Sequence, residues 1–238
     1  MPDIPAFAQT VGHEARPTTM IERHLHHVRV EKPGPDETVA GARLRLADKF
    51  PRTALRRMTH LGLLLGSTLD GVALGPEDAV VYASTFAETR SLEDFLAGFP
   101  AASPLLFQTS IHPGGVQQVL IGRQQPVARL WPHAGRTRLV EQALLTTLLE
   151  PAARVALVGG EERGSWMLEH RAASARSFAF ATILTREAAG AAGRVRFTPG
   201  TQSDEICPTL ENFMEALAGR LPLSWHGAGG AWALEWHP

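Results

Sequence analysis

The feature that most constrains this chain is an alternation. Short apolar, β-branched runs bounded by glycine or proline are separated by segments whose apolar residues recur at helical spacing. DAVVYAST at 78–85 suits a buried strand. SLEDFLAG at 91–98 places Ser91 as N-cap with Glu93 and Asp94 in the first turn, which predicts a short helix. A loop at ASPLLFQ follows, then a helix over 114–121 and a strand at VARLW, 127–131. Leu139, Val140, Ala143, Leu144 and Leu148 mark the inner face of the next helix, and RVALVGG (154–160) a strand ending in glycines. SFAFATILT (177–185) and RVRFTP (194–199) read as strands. A helix carrying Leu210, Phe213, Met214 and Leu217 follows, and GAWALEW (230–236) is a last strand. Upstream, Ala54, Met58, Leu61, Leu65 and Leu69 after Pro51 and Thr53 predict one helix over 53–69 that stops near Asp70-Gly71. Such alternation predicts an α/β domain with a central mixed, mostly parallel sheet covered by helices on both faces.

The first fifty residues are the least legible. RHLHHVRVE (23–31) fits a strand, and EKPGPDE (31–37) a turn or loop. With no internal repeat or low-complexity linker, a single domain over 1–238 is the simplest organisation. A net charge of -1 offers no field for nucleic acid or an anionic membrane. The single cysteine, Cys207, excludes an internal disulfide and suits a reducing compartment. No run approaches the roughly 20 apolar residues that span a bilayer. MPDIPAFAQTVGHEARP lacks the basic and apolar regions of a signal peptide, so a cytoplasmic location is expected.

Residues 103–160 carry a more specific pattern. Ser103-Pro104 leads through Ser110-Ile111-His112 to a helix, Val127 to Trp131 forms a strand, and Gly159-Gly160-Glu161 closes the next one. This order resembles the N-terminal half of the β-ketoacyl synthases of the thiolase-like superfamily. Arg56-Arg57-Met58, before the helix at 53–69 turns apolar, fits the family's second helix. The likeness covers roughly residues 50–200; residues 1–50 match poorly, without a recognisable Gly-rich first strand. It implies a three-layer α/β/α half of a thiolase-like protein.

In that family a strand runs into a sharp turn bearing the nucleophilic cysteine at the start of a buried helix, where the macrodipole and free N–H groups favour the thiolate. Counting back from Gly135 puts that position at or beside Pro132, and neither Pro132 nor His133 can form a thioester. The family's catalytic histidines lie in a C-terminal half that this chain does not contain. No catalytic residue and no cofactor is therefore expected, and the turn at Pro132, His133 and Gly135 is read as degenerate. The closest resemblance is to stand-alone β-ketoacyl synthase-like N-terminal-domain proteins of aryl-polyene and fatty-acid-like pigment pathways. A member of that group can act as a chain-length factor, a silent partner that pairs with a catalytic β-ketoacyl synthase in a heterodimer and shapes its acyl tunnel.

The resemblance also implies that the strand 127–131 is the dimer edge, because an exposed apolar edge demands a partner. Phe107, Ile111, His112 and Trp131 are candidates for the tunnel or interface, and Arg136 and Arg138 for contact with an acidic acyl carrier protein. The alternatives are a stand-alone module holding acyl chains or carrier protein, or an independent enzyme using His112, His133 or Cys207. Three other motifs read as structural. His24, His26 and His27 share no Cys, Asp or Glu cluster that would complete a metal site. Gly159-Gly160-Glu161-Glu162 lacks phosphate-loop spacing, and its carboxylates would repel phosphate. The stretch 225–230, WHGAGG, looks like a lipase oxyanion loop but has no G-x-S-x-G elsewhere to serve, so a glycine turn is expected.

Overall fold

A computed structural model describes residues 19–200 and 206–237. The N-terminal stretch tested above for a signal peptide lies outside the described residues, apart from which the observed elements follow the alternation closely. Eight strands form one sheet in the order β3-β2-β4-β5-β1-β6-β8-β7. They are β1 (Ile21–Glu31), β2 (Ala79–Ser84), β3 (Arg129–Ala134), β4 (Arg154–Glu161), β5 (Phe178–Thr185), β6 (Gly193–Pro199), β7 (Leu223–Gly227) and β8 (Gly230–Trp236). The helices are α1 (Val39–Arg45), α2 (Arg52–Leu55), α3 (His60–Thr68), α4 (Thr89–Ala97), α5 (Pro104–Ser110), α6 (Gly114–Gly122), α7 (Leu139–Leu149), α8 (Trp166–Glu169) and α9 (Leu210–Gly219).

The sheet is mixed, as expected, but not mostly parallel. Only β2 pairs in parallel, with β3 and with β4. The β4–β5, β5–β1, β1–β6, β6–β8 and β8–β7 ladders are antiparallel. Parallel neighbours need a crossover long enough to carry a helix across a face of the sheet. The chain supplies that between β2, β3 and β4, whereas β8 follows β7 through a two-residue turn at Ala228-Gly229.

Strand alternation sorts the core into two layers. Val81, Ala83, Val155, Leu157, Phe178 and Phe180 face α7 and α9, where Leu144, Leu148, Phe213 and Leu217 meet them. Val80, Tyr82, Ala156, Val158, Ala179 and Ala181 face α3 and α6, packing on Leu61, Leu65, Val116 and Val119. Every residue of α3 is buried, which explains why that helix is apolar all round rather than striped. It passes so close to α6 that a Cβ on Gly62 would lie 2.7 Å from Gln118 Oε1.

Five local expectations are corrected. The helix predicted over 53–69 is two, because Thr59 caps α3 from inside that span and its N–H donates to Gln118 of α6 at 2.8 Å. α4 starts at Thr89 rather than after Ser91, since the Glu162 carboxylate, reaching from the end of β4, accepts the Arg90 N–H. ASPLLFQ contains α5, capped by Ser103 with Pro104 in the first turn. The glycine turn expected over 225–230 is confined to Ala228-Gly229, because Trp225 to Gly227 belong to strand β7, where Trp225 stacks on Trp232 at 5.8 Å. Finally, β3 runs on through Pro132 and His133, which pair with Tyr82 and Ala83.

Candidate functional site

The parallel strands β2, β3 and β4 end side by side, the place where open α/β sheets present their clefts. Polar groups concentrate here because strand ends release backbone donors that the ladder no longer uses. Glu161 accepts N–H bonds from Thr85 and Phe86 and the Ser84 hydroxyl. Glu162 accepts from Leu61 at 2.8 Å and Arg90 at 3.0 Å, so it ties the starts of α3 and α4 to β4. Glu93 accepts from Ser165 and Met167 at the start of α8. Glu88 accepts from Gly115 at the start of α6 and from the Tyr82 hydroxyl. Burial outweighs these bonds at Glu161 and Glu162 and pushes each carboxyl up to about 7. These four acids fasten helix starts and loops to the sheet. Glu161 and Glu162 were visible in the sequence as acids directly after an apolar strand; Glu88 and Glu93 carried no such signal.

Beyond β3 the chain turns sharply into α7. The turn spans Gly135 to Arg138, while Pro132 and His133 still belong to β3. β3 pairs along the whole length of β2, and only Gly135, at φ 121°, releases it. Arg138, in the left-handed region at φ 53° and ψ 31°, caps α7. Its guanidinium lies 3.6 Å from Glu141, whose carboxylate also accepts Trp225 Nε1–H at 3.1 Å and so braces β7 against α7. Gly135, Arg136, Thr137 and Arg138 include neither cysteine nor serine.

The structure separates the other candidate residues into groups. Phe107 and Ile111 are exposed around α5, with Phe107 5.3 Å from Phe95. Next to them His112 stacks on Tyr82 at 4.7 Å and brings Nδ1 to 3.6 Å from the Glu88 carboxylate. Trp131 does not join them: alternation turns it to the α7 side of β3, where Nε1 donates to Glu150 at 2.6 Å. His133 faces the same way, 3.0 Å from the Thr146 hydroxyl; burial, then the nearby His112, lowers its pKa. Arg136 lies over the Phe86 ring at 4.9 Å.

A cavity of about 480 Å³ opens beside this turn, and Arg136, Arg138, Leu139, Glu161, Phe178 and Cys207 are among its lining. Cys207 is therefore close to the start of α7 in space, although remote from it in sequence. Its thiol is not activated: burial pushes its pKa up to about 11, against a backbone hydrogen bond from Glu141, and no histidine lines the cavity. Among the described residues no group of three or more His, Cys, Asp or Glu could hold a metal ion. His26 instead meets Thr185, and His27 the Thr68 carbonyl, each at 2.9 Å. No helix among the described residues is long and apolar enough to cross a membrane.

No protein family and no curated protein matches the sequence. Solved structures do match the fold. One is a chain of the complex between a ketosynthase and its chain length factor from Xenorhabdus doucetiae, with TM-score 0.63 and 19% identity over 90% of this chain and 99% of that one. The fold is thiolase-like. Another is the ishigamide ketosynthase/chain length factor, with TM-score 0.52 and 15% identity over 72% of this chain and 64% of that one. The thiolase-like architecture expected from residues 103–160 is thus present.

Proposed function

We propose that this chain is the non-catalytic, chain-length-factor-like subunit of a heterodimer with a catalytic β-ketoacyl-acyl carrier protein synthase. The observation that carries the reading is the turn into α7. A thiolase-like fold places the helix start where a nucleophile would gain most from N–H groups and the macrodipole, yet Gly135 to Arg138 offer no nucleophilic sulfur or serine oxygen there. The partner would supply the cysteine and histidines.

The edge of the sheet supports the pairing. β3 is its outermost strand, with most of its residues exposed and one row of backbone groups without a ladder partner. Pro132 is compatible with that position, because a proline inside a sheet belongs on an edge strand. In this reading β3, with Trp131 at its centre, meets its counterpart on the synthase, and the α5 corner bearing Phe107, Ile111 and His112 borders the acyl tunnel. Arg136 and Arg138 would face an acidic acyl carrier protein. The single-domain organisation over 1–238, the cytoplasmic location and a role in aryl-polyene-type pigment synthesis belong to the same proposal.

Co-expression with the candidate ketosynthases of its own genome tests this. The expected result is a stoichiometric heterodimer by native mass measurement, with product formed only when both chains are present. Replacing Trp131 with Glu should weaken the complex at least tenfold while leaving the isolated chain folded. A chain that stays alone with every synthase would overturn the proposal.

A further inference from the structure

β3 carries a histidine, His133, near its end at the open edge of the sheet. The side chain is half-buried, opposite Ala83 of β2 in the ladder, and its Nε2 lies 3.0 Å from the Thr146 hydroxyl of α7. Trp131, two residues earlier, projects from the same face of the strand. A neutral ring suits this place, because a hydroxyl can donate to the bare nitrogen or accept from its N–H.

A protonated ring finds no counter-charge here. Among the described residues no carboxylate forms an ion pair with His133. On α7, Glu150 stands four residues beyond Thr146, and its oxygens already accept from Arg129, Trp131 and the Ala152 N–H. Past the end of β3, Arg136 lies over the Phe86 ring. Between α5 and α6 stands a second histidine, His112, stacked on Tyr82 with the buried Glu88 carboxylate 3.6 Å from its Nδ1. Glu88 is therefore placed to compensate His112 rather than His133. Burial first, and His112 second, hold the His133 pKa below its ordinary value of 6.5.

We infer that His133 makes pairing along β3 pH-dependent: the edge accepts a partner strand when the ring is neutral and rejects it when the ring carries a proton. This rests on the heterodimer reading above and adds its regulation. A strand laid along β3 withdraws His133 further from water, which disfavours the cation far more than the neutral ring. A proton held by the free chain must then pass to the solvent on association. The complex is at full strength above about pH 6.5 and weakens as the pH falls, by at most about tenfold per pH unit for one proton.

The test uses the full chain and the ketosynthase of its own genome that co-purifies with it. The heterodimer Kd is measured at pH 8, 7, 6 and 5 for the parent and for His133→Gln, whose amide still reaches Thr146 and cannot ionise. Dividing the two profiles removes the synthase's own titrating groups. The parent should lose about fivefold or more in affinity relative to the variant between pH 7 and pH 5. Calorimetry at pH 6 in two buffers of different ionisation enthalpy should show proton release on association, reduced in the variant. His133→Asn gives the same comparison should the glutamine variant express poorly. Parallel pH profiles for parent and variants would overturn the assignment and leave the heterodimer standing. The absence of a complex at every pH would overturn both.

Discussion

Glu162 links the pH of the medium to the integrity of the fold. Its side chain is wholly buried, with one oxygen accepting the Leu61 N–H and the other the Arg90 N–H. Burial moves its carboxyl from 4.5 to about 7. The folded protein therefore keeps a proton that the unfolded chain releases above about pH 4.5. Stability contributed by the protonated form is complete below 4.5 and is lost progressively as pH rises to about 7, after which the loss stops. Most of that loss falls between pH 5 and pH 8 and amounts to about 2–3 kcal/mol. Glu162→Gln has the same shape and cannot ionise. Its single amide oxygen serves only one of the two N–H donors, which costs about 1–3 kcal/mol at every pH. The variant should thus be less stable than the parent at pH 5, and that gap should shrink by about 2–3 kcal/mol by pH 8. Urea unfolding followed by tryptophan fluorescence at pH 5, 6, 7 and 8 measures it. Contributions of His60 and His133, both with lowered pKa, run the other way with pH but occur in both proteins and cancel in the difference. A gap that stays constant, or that widens with pH, would refute the burial account of this carboxylate.

Three further outcomes follow from packing and hydrogen bonding. Arg23 is fully buried and its guanidinium donates to the carbonyls of Glu150, Ala152 and Ala153, so Arg23→Met should cost about 3 kcal/mol or more through orphaned acceptors, read as a lower urea midpoint. A Cβ on Gly159 would lie 2.5 Å from the Phe180 ring and 2.9 Å from the Ala83 carbonyl oxygen, so Gly159→Ala should destabilise by about 1–3 kcal/mol and lower the calorimetric Tm by several degrees. Thr209 and Asn212 form a reciprocal cap on α9, and Thr209→Ala should cost about 1 kcal/mol with no change in oligomeric state by light scattering.

How far the sequence revealed the structure depended on what each element answers to. β2, β4 and β5 were legible because burial on both faces makes a strand a continuous apolar run. The extent of β3 was not, since its end is set by the length of β2 beside it, and a proline inside the run argues for stopping early. The break between α2 and α3 was hidden for a related reason. The apolar spacing of Ala54, Met58 and Leu61 continues across it, while the decisive contact comes from Gln118, far along the chain. The antiparallel ladders of β1, β6 and β8 depend on pairing partners that local pattern does not name. At the site, the approach of Cys207 and Arg171 to the α7 turn exists only in three dimensions.

The central place of β1 sets an order of events for a chain emerging from a ribosome. His24 lies opposite Thr185 on one side and Arg194 on the other, so the first of the described strands finds both its neighbours some 150 residues later. Until then IERHLHHVRVE has two unsatisfied edges, while β2, β3 and β4, with their intervening helices, can already assemble. Closing so long a loop is slow, and an open strand during that interval is a target for chaperones or for aggregation. Three histidines and two arginines along that strand keep it more soluble during the delay than an all-aliphatic central strand would be.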